Sequence, residues 1–245
     1  MTSINIAMWS GPRNISTAMM RAWENRPDCE VWDEPLYAAY LQDSGVVHPM
    51  HEEILAANER DWERVVARCT APAPDGSAVF YQKHMTHHML PGYSRDWLAN
   101  VQHCFLLRHP RDVLLSYSQK REGADLRDIG IVEQLELFER VAELQSRAPL
   151  IVDSQDFLSA PEAYLRRMCA HFGIDFYAQM LAWPQGQRDS DGVWGEHWYA
   201  NVWRSTGFSA QTKARTELDP SLQPVLDAAM PAYEKLRAHS LAIET

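Results

Sequence analysis

Two short stretches place cations and hydroxyls at spacings that suit the oxygens of a phosphate or sulfate group. In WSGPRNISTAM, a β-like run ends at Trp9, Gly11 and Pro12 turn the chain, and a helical pattern opens at Ser16. Backbone N–H groups at a helix start are unsatisfied and carry partial positive charge, which suits the loop Gly11, Pro12, Arg13, Asn14, Ile15, Ser16 and Thr17 to an anion. Arg13 adds a cation, and Ser16 and Thr17 add hydroxyl donors. The usual nucleotide loop is not there, since the second Gly and the Lys are missing. In CFLLRHPRDVLLSYSQK, Arg108 ends an apolar strand and Ser116 follows on the helix that Pro110 helps to start. A guanidinium at a strand's C-terminal edge and a hydroxyl on the adjoining helix can converge on one phosphate. Each stretch alone also fits a capped helix with a solvated arginine, so the pair carries the argument.

Chemistry at an acceptor oxygen or nitrogen also needs a base, and two sets of residues compete for that role. Glu34 in VWDEPLYAAYL follows a strand beside Trp32 and Tyr37, where partial burial would raise its pKa toward working pH. The same Asp33–Glu34–Pro35 cluster also fits a helix entry favoured by the helix dipole. The rival is a histidine in QKHMTHHML, where His84, His87 and His88 are available and imidazole suits a base near neutrality. His84 and His88 imitate a metal pair, but no third ligand with helpful spacing follows, so no metal is expected. Lys83 either contacts the anion or forms a surface pair.

These residues need a scaffold of alternating strands and helices. A first strand precedes a helix from about Ser16 to Asn25, and a second strand ends near Trp32 before a helix entered through Pro35. A charged amphipathic segment runs from His51 to Arg68, and TAPAPDGSA reads as a surface loop. VFYQKHM and VQHCFLLRHP read as strands, the second apolar enough to lie centrally in a parallel sheet. Val132 to Leu144 carries helical spacing, APLIVDSQDF reads as a strand, and APEAYLRRMCAHFGI is a helix stopping at Gly173. The class is therefore α/β, a mainly parallel sheet flanked by helices. A Trp-rich irregular segment and a mostly helical C-terminal segment follow. No tract divides the chain, so residues 1–245 are read as one domain.

The net charge is −10, from 33 acidic and 23 basic residues, which argues against general binding to nucleic acid or anionic membranes. Any anion site must therefore be local. The cysteines are dispersed, no secretory signal is apparent, and no apolar run approaches the roughly 18 residues of a membrane span. A soluble, cytoplasmic protein is expected.

The segments SGPRNIST and LLRHPRDVLLSYS, with FYQKHMTHHMLP before the latter, resemble the sulfotransferases that use 3′-phosphoadenosine 5′-phosphosulfate (PAPS). The likeness is closer to bacterial members, which have Arg in the first loop, than to animal cytosolic ones, which have Lys. The resemblance implies a P-loop NTPase-like sulfotransferase fold. It also implies that the first loop holds the 5′-phosphosulfate and that Arg108 and Ser116 hold the 3′-phosphate. IVDSQDFLSAPEAYLRRMCAHFGI is similar to a later family stretch, with Ser154 in place of its Tyr. WRSTGF resembles a segment that closes over the cofactor, which would bring Arg204, Ser205, Thr206 and Gly207 to it. Glu34 resembles the base of the bacterial trehalose sulfotransferase branch, whereas cytosolic members have a histidine near His84 to His88. Ile15 stands where the loop commonly has Gly, and its β-branch narrows the backbone conformations open to it.

The expected activity is sulfuryl transfer from PAPS, with adenosine 3′,5′-bisphosphate (PAP) as product, to a hydroxyl or amine of a small-molecule acceptor. No metal is needed, and Arg13 is the cation at the transferring group. Two alternatives stay open. One is an ATP-dependent kinase on a P-loop-like fold, for which Asp153 at the end of PLIVD would hold magnesium. The other is a non-catalytic relative that binds a nucleotide or a partner.

Overall fold

The computed structural model describes residues 3–118, 124–209 and 217–243. Chain order is β1 (Ile4–Ser10), α1 (Ser16–Glu24), β2 (Cys29–Asp33), α2 (Tyr37–Ser44), α3 (His51–Ala57), α4 (Trp62–Thr70), β3 (Val79–Met85), β4 (Gln102–Leu107) and α5 (Pro110–Ser118). It continues with α6 (Leu126–Ile129), α7 (Ile131–Gln145), β5 (Leu150–Asp153), α8 (Ser154–Ser159), α9 (Pro161–Phe172), α10 (Gly195–Trp198), α11 (Ala200–Trp203) and α12 (Gln223–Arg237). The five strands form one parallel sheet in the order β2-β3-β1-β4-β5.

Apolar residues cover both faces, as a parallel sheet with helical crossovers requires. On one face Ile6, Met8 and Tyr81 pack with Met19 and Trp23 of α1 and Leu165 and Met168 of α9. On the other, Trp9 and Phe105 pack with Val113 of α5, Phe138 of α7 and Leu236 of α12. A smaller cluster joins Tyr37 and Leu41 of α2 to Ile54, Trp194 and Tyr199.

Local chemistry sets the element ends. The segment from His51 to Arg68, read as one unit, divides because Asn58 is extended and Asp61 starts α4 by accepting from the Glu63 N–H at 2.9 Å. The last strand ends earlier than APLIVDSQDF suggests. Asp153 accepts from the N–H groups of Gln155 (2.8 Å) and Asp156 (3.3 Å) and thereby begins α8. Helix α9 stops at Gly173, whose φ of 71° is open to glycine at little strain.

β1 and β4 are neighbours, yet α1 and α5, which follow them, pack on opposite faces of the sheet. The chain thus diverges above their C-terminal ends and leaves a crevice, the place where open α/β sheets bind ligands.

Candidate active site

The crevice brings the two anion-binding stretches together. Arg13 Nε donates to Ser116 Oγ at 2.8 Å, and Arg108 Nη1 donates to the Arg13 carbonyl oxygen. Burial lowers the proton affinity of Arg108 and the like charge of Arg13 adds to this, with Asp112 opposing. Two guanidinium groups held this close repel, and an anion placed between them relieves that repulsion. A small opening beside them is lined by Gly11, Pro12, Asn14, Arg108 and Gln134, among others.

The loop is tied to β4 and α6. Asn14 Nδ2 (3.1 Å) and Gln134 Nε2 (2.8 Å) both donate to the Leu106 carbonyl. Gly11 lies so close to α6 that a Cβ there would stand 2.7 Å from the Ile129 carbonyl oxygen, which excludes any other residue without a backbone shift. The left-handed position of the loop falls on Arg13, with φ 56°, while Ile15 has φ −85° and ψ 17°. The β-branched side chain therefore meets no conformational conflict. Ile15 precedes α1 without a side-chain cap, so the N–H groups of the first turn, at Ser16 and Thr17, are not capped by it.

Beside β1, at the C-terminal ends of β3 and β2, a buried ionic cluster surrounds Glu34. Register pairs Asp33 with Lys83. Lys83 Nζ lies 2.9 Å from Asp33 Oδ1, 2.5 Å from Glu34 Oε1 and 2.9 Å from the Tyr199 hydroxyl. The Glu34 side chain is 11% exposed and that of Lys83 2%, so the glutamate is the more open of the two. Burial raises the Glu34 carboxyl above the usual range, against the pull of Lys83, and Asp33 raises it further. Burial opposes the Lys83 charge, but the two carboxylates more than offset this and hold the ammonium protonated. Glu34 has φ 40°, a strained conformation for a side-chain-bearing residue, and such outliers gather at functional sites.

The two catalytic histidine candidates part company. Strand alternation turns His84 to the face opposite Lys83, where its ring stacks on Trp9 at 4.4 Å and meets Gln82 Oε1 at 3.2 Å. Burial, with His103 and Lys83 adding, lowers it to about 3. It is buried in the core on that face. His88 lies between the rings of Tyr37 (4.6 Å) and Tyr40 (4.7 Å), with Nδ1 3.9 Å from Glu34 Oε2. Burial first, then His87 and His48, hold it well below the usual histidine range.

Lys83 is thus a buried ion-pair partner. Asp33 and Tyr199 belong to the same cluster but were not singled out from sequence. An acidic pair opposite a lysine on a neighbouring strand was the available signal for Asp33. Tyr199 had none, because it joins α10 to α11 far along the chain.

The segment Arg204 to Gly207 packs against Trp183 and Ala182. The Trp183 N–H donates to the Thr206 carbonyl at 3.0 Å, Trp183 Nε1 donates to Ser205 Oγ at 3.0 Å, and Gly207 bridges Ala182. Arg204 Nη2 donates to Asn201 Oδ1 at 2.7 Å. Asn25, which ends α1, donates to the carbonyls of Gln179 and Ala182. These contacts tie the segment to Trp183 and Ala182 and, through Ala182, to the C-terminal end of α1. Asp153 caps α8 and lies 3.4 Å from the Tyr233 hydroxyl, a structural role that differs from holding magnesium. Among the described residues no group of three His, Cys, Asp or Glu side chains is placed to hold a metal ion, and no helix is long and apolar enough to cross a membrane.

A family model described as Sulfotransferase domain matches residues 4–240. Two Arabidopsis thaliana proteins, Branched-chain-amino-acid aminotransferase-like proteins 2 and 1, are each 33% identical over 96% of this chain. The chain spans only 41% and 42% of their lengths. Among solved structures, a sulfotransferase from Alicyclobacillus acidocaldarius aligns over 98% of both chains with TM-score 0.57 and 12% identity. Mouse sulfotransferase SULT7A1 complexed with PAP aligns over 97% of this chain and 89% of its own, with TM-score 0.50 and 11% identity. At such identities the likeness is one of fold, the P-loop-like sulfotransferase architecture.

Proposed function

The chain belongs to the sulfotransferase domain family, and on that premise we propose that it transfers a sulfuryl group from PAPS to a hydroxyl or amine of a small-molecule acceptor. The observation that carries this reading is the joining of Arg13, Arg108 and Ser116 above β1 and β4. Two cations, a hydroxyl and an uncapped helix start fit a ligand with two separate anionic groups, as PAPS has. When bound, PAPS supplies the sulfuryl group, and PAP is the product.

The chain's own residues then have distinct tasks. Arg13 and the N–H groups opening α1 hold the 5′ anion and neutralise charge that grows there. Arg13 cannot act as an acid, because a guanidinium keeps its proton near neutral pH. Arg108 and Ser116 hold the 3′-phosphate. Glu34, raised by burial yet partly open, takes the acceptor's proton. His88 is held neutral beside it. Tyr37 and Tyr40 stack on both faces of the His88 ring and fix its orientation.

Calorimetric titration without divalent metal tests the donor. PAP should bind about ten- to a hundredfold more tightly than AMP, the difference expected of one charge-assisted contact to the 3′-phosphate. Equal affinity for both, or a need for magnesium, overturns the assignment.

A further inference from the structure

Two carboxylates and one ammonium meet at the ends of β2 and β3, so one carboxylate has no cation of its own. Such a group of charges tends to take up a proton, and the arrangement of donors decides where it resides. Asp33 has donors on both oxygens: Oδ1 receives Lys83 Nζ at 2.9 Å, while Oδ2 receives the Tyr199 hydroxyl at 2.8 Å and the Gly192 N–H at 3.2 Å. The Tyr199 oxygen in turn receives Lys83 Nζ and Trp194 Nε1, at 2.9 and 3.0 Å. Its single proton goes to the nearer carboxylate, since Glu34 Oε1 is 3.4 Å away. Glu34 shares Lys83 through Oε1 alone, and its Oε2 faces His88 Nδ1 at 3.9 Å.

We propose that Asp33 and Tyr199 are positioning residues that act through Glu34: by supplying Asp33 with donors, the cluster leaves Glu34 Oε2 as its one proton-accepting oxygen. The inference rests on Glu34 being the base. The segment Gly192–Tyr199 is then part of the reacting centre, although it lies far from β2 in sequence. Other groups facing Glu34 do not compete for the proton. On α2, burial raises the Tyr37 hydroxyl and the Glu34 charge adds to this, so the phenol stays neutral. His88, after β3, is neutral for the reasons given, and so is His87 behind it, which burial and His48 lower to about 4.

The step balances. The acceptor's O–H bond breaks, its electron pair forms the new O–S bond, and its proton passes to Glu34 Oε2. The S–O bond to the donor's phosphate breaks, and that pair leaves on PAP. Glu34 gives its proton to water after product release.

The test uses two substitutions that must act in opposite directions. Tyr199→Phe removes a donor from Asp33, draws Lys83 toward it and makes Glu34 harder to ionise. Asp33→Asn removes the like charge and leaves Lys83 to Glu34. The protein carrying 13C-labelled glutamate is titrated by NMR, with the Glu34 carboxyl assigned by its loss in Glu34→Gln. The acidic limb of kcat against pH is measured in parallel. Tyr199→Phe should raise both midpoints and Asp33→Asn should lower both, by about one pH unit each, with PAP affinity unchanged. Loss of packing alone would lower kcat without moving either midpoint in opposite directions. If either variant fails to fold, Trp194→Phe, which removes a neutral donor from Tyr199, should give a smaller upward shift. Carboxyl midpoints that stay in place, or move together, overturn the positioning roles. Carboxyl midpoints that move as expected while the kinetic limb stays fixed overturn Glu34 as the base.

Discussion

Arg13 Nε and Ser116 Oγ lie 2.8 Å apart although 103 positions separate them in the chain. The bond connects the loop after β1 to the helix after β4 and so joins the two halves of the anion site. Contacting residues in one network couple by about 0.5–3 kcal/mol in double-mutant cycles. Arg13→Ala, Ser116→Ala and the double variant should therefore show non-additive losses of PAP affinity by calorimetry. Additive losses would mean that the bond has no part in holding the nucleotide.

Arg108→Ala should remove most of the preference for PAP over AMP while weakening AMP little. A charge-assisted contact contributes roughly 1.5–3 kcal/mol. Arg13→Ala should weaken both nucleotides alike, because both possess the 5′-phosphate. The same calorimetric comparison checks the pair, and an equal loss of PAP and AMP in Arg108→Ala would remove it from the 3′ site.

Glu34→Gln should abolish nearly all turnover and leave PAP affinity almost unchanged, since the acceptor's proton is touched only in the reaction. In the wild type, kcat should fall as pH drops through the Glu34 midpoint. That midpoint lies above the ordinary carboxylate value of about 4.3 because burial raises it. A limb at the ordinary value would mean that the buried glutamate is not the titrating base.

Lys83→Met should destabilise the fold by about 3–5 kcal/mol at neutral pH in urea unfolding, because it leaves Asp33 and Glu34 buried without their cation. Adding Asp33→Asn should restore part of the loss. A change below about 1 kcal/mol would show that the cluster is well hydrated, as exposed pairs are.

Acid should destabilise the protein through its buried histidines. Burial lowers His84 to about 3 and His103 to about 4, so between the unfolded value near 6.5 and these values the unfolded chain binds more protons. Their stabilisation is full above about pH 6.5 and is lost as pH falls, by about 1.4 kcal/mol per pH unit for each residue. Urea unfolding between pH 7 and 5 measures this slope, and His84→Phe should reduce it by one residue's share. An unchanged slope would place the ring in contact with water.

The two anion stretches were legible because each is a local signal. An apolar strand, a turn with Gly or Pro and a helix start lie within about fifteen residues, and the chemistry of the chain alone sets them. The same locality made the α/β class and the helix stop at Gly173 readable, and it limited the strand around Asp153, where a side-chain cap competes with the ladder. The placement of Arg204 to Gly207 beside Ala182 was not legible, because a pairing between distant segments leaves no local pattern.

The sequence by itself determined which segments could carry cations, hydroxyls and carboxylates at strand ends. Only the tertiary structure decided which of them meet. Alternation along β3 sends Lys83 and His84 to opposite faces, and the choice of face follows from which helices cover the sheet. The order β2-β3-β1 sets Asp33 beside Lys83, and Tyr199 arrives from 116 residues beyond that lysine. Strand order and long-range contacts minimise the free energy of the whole core and leave no pattern within a short window. For that reason Glu34 is legible as a candidate, whereas the neighbours that govern its proton are not.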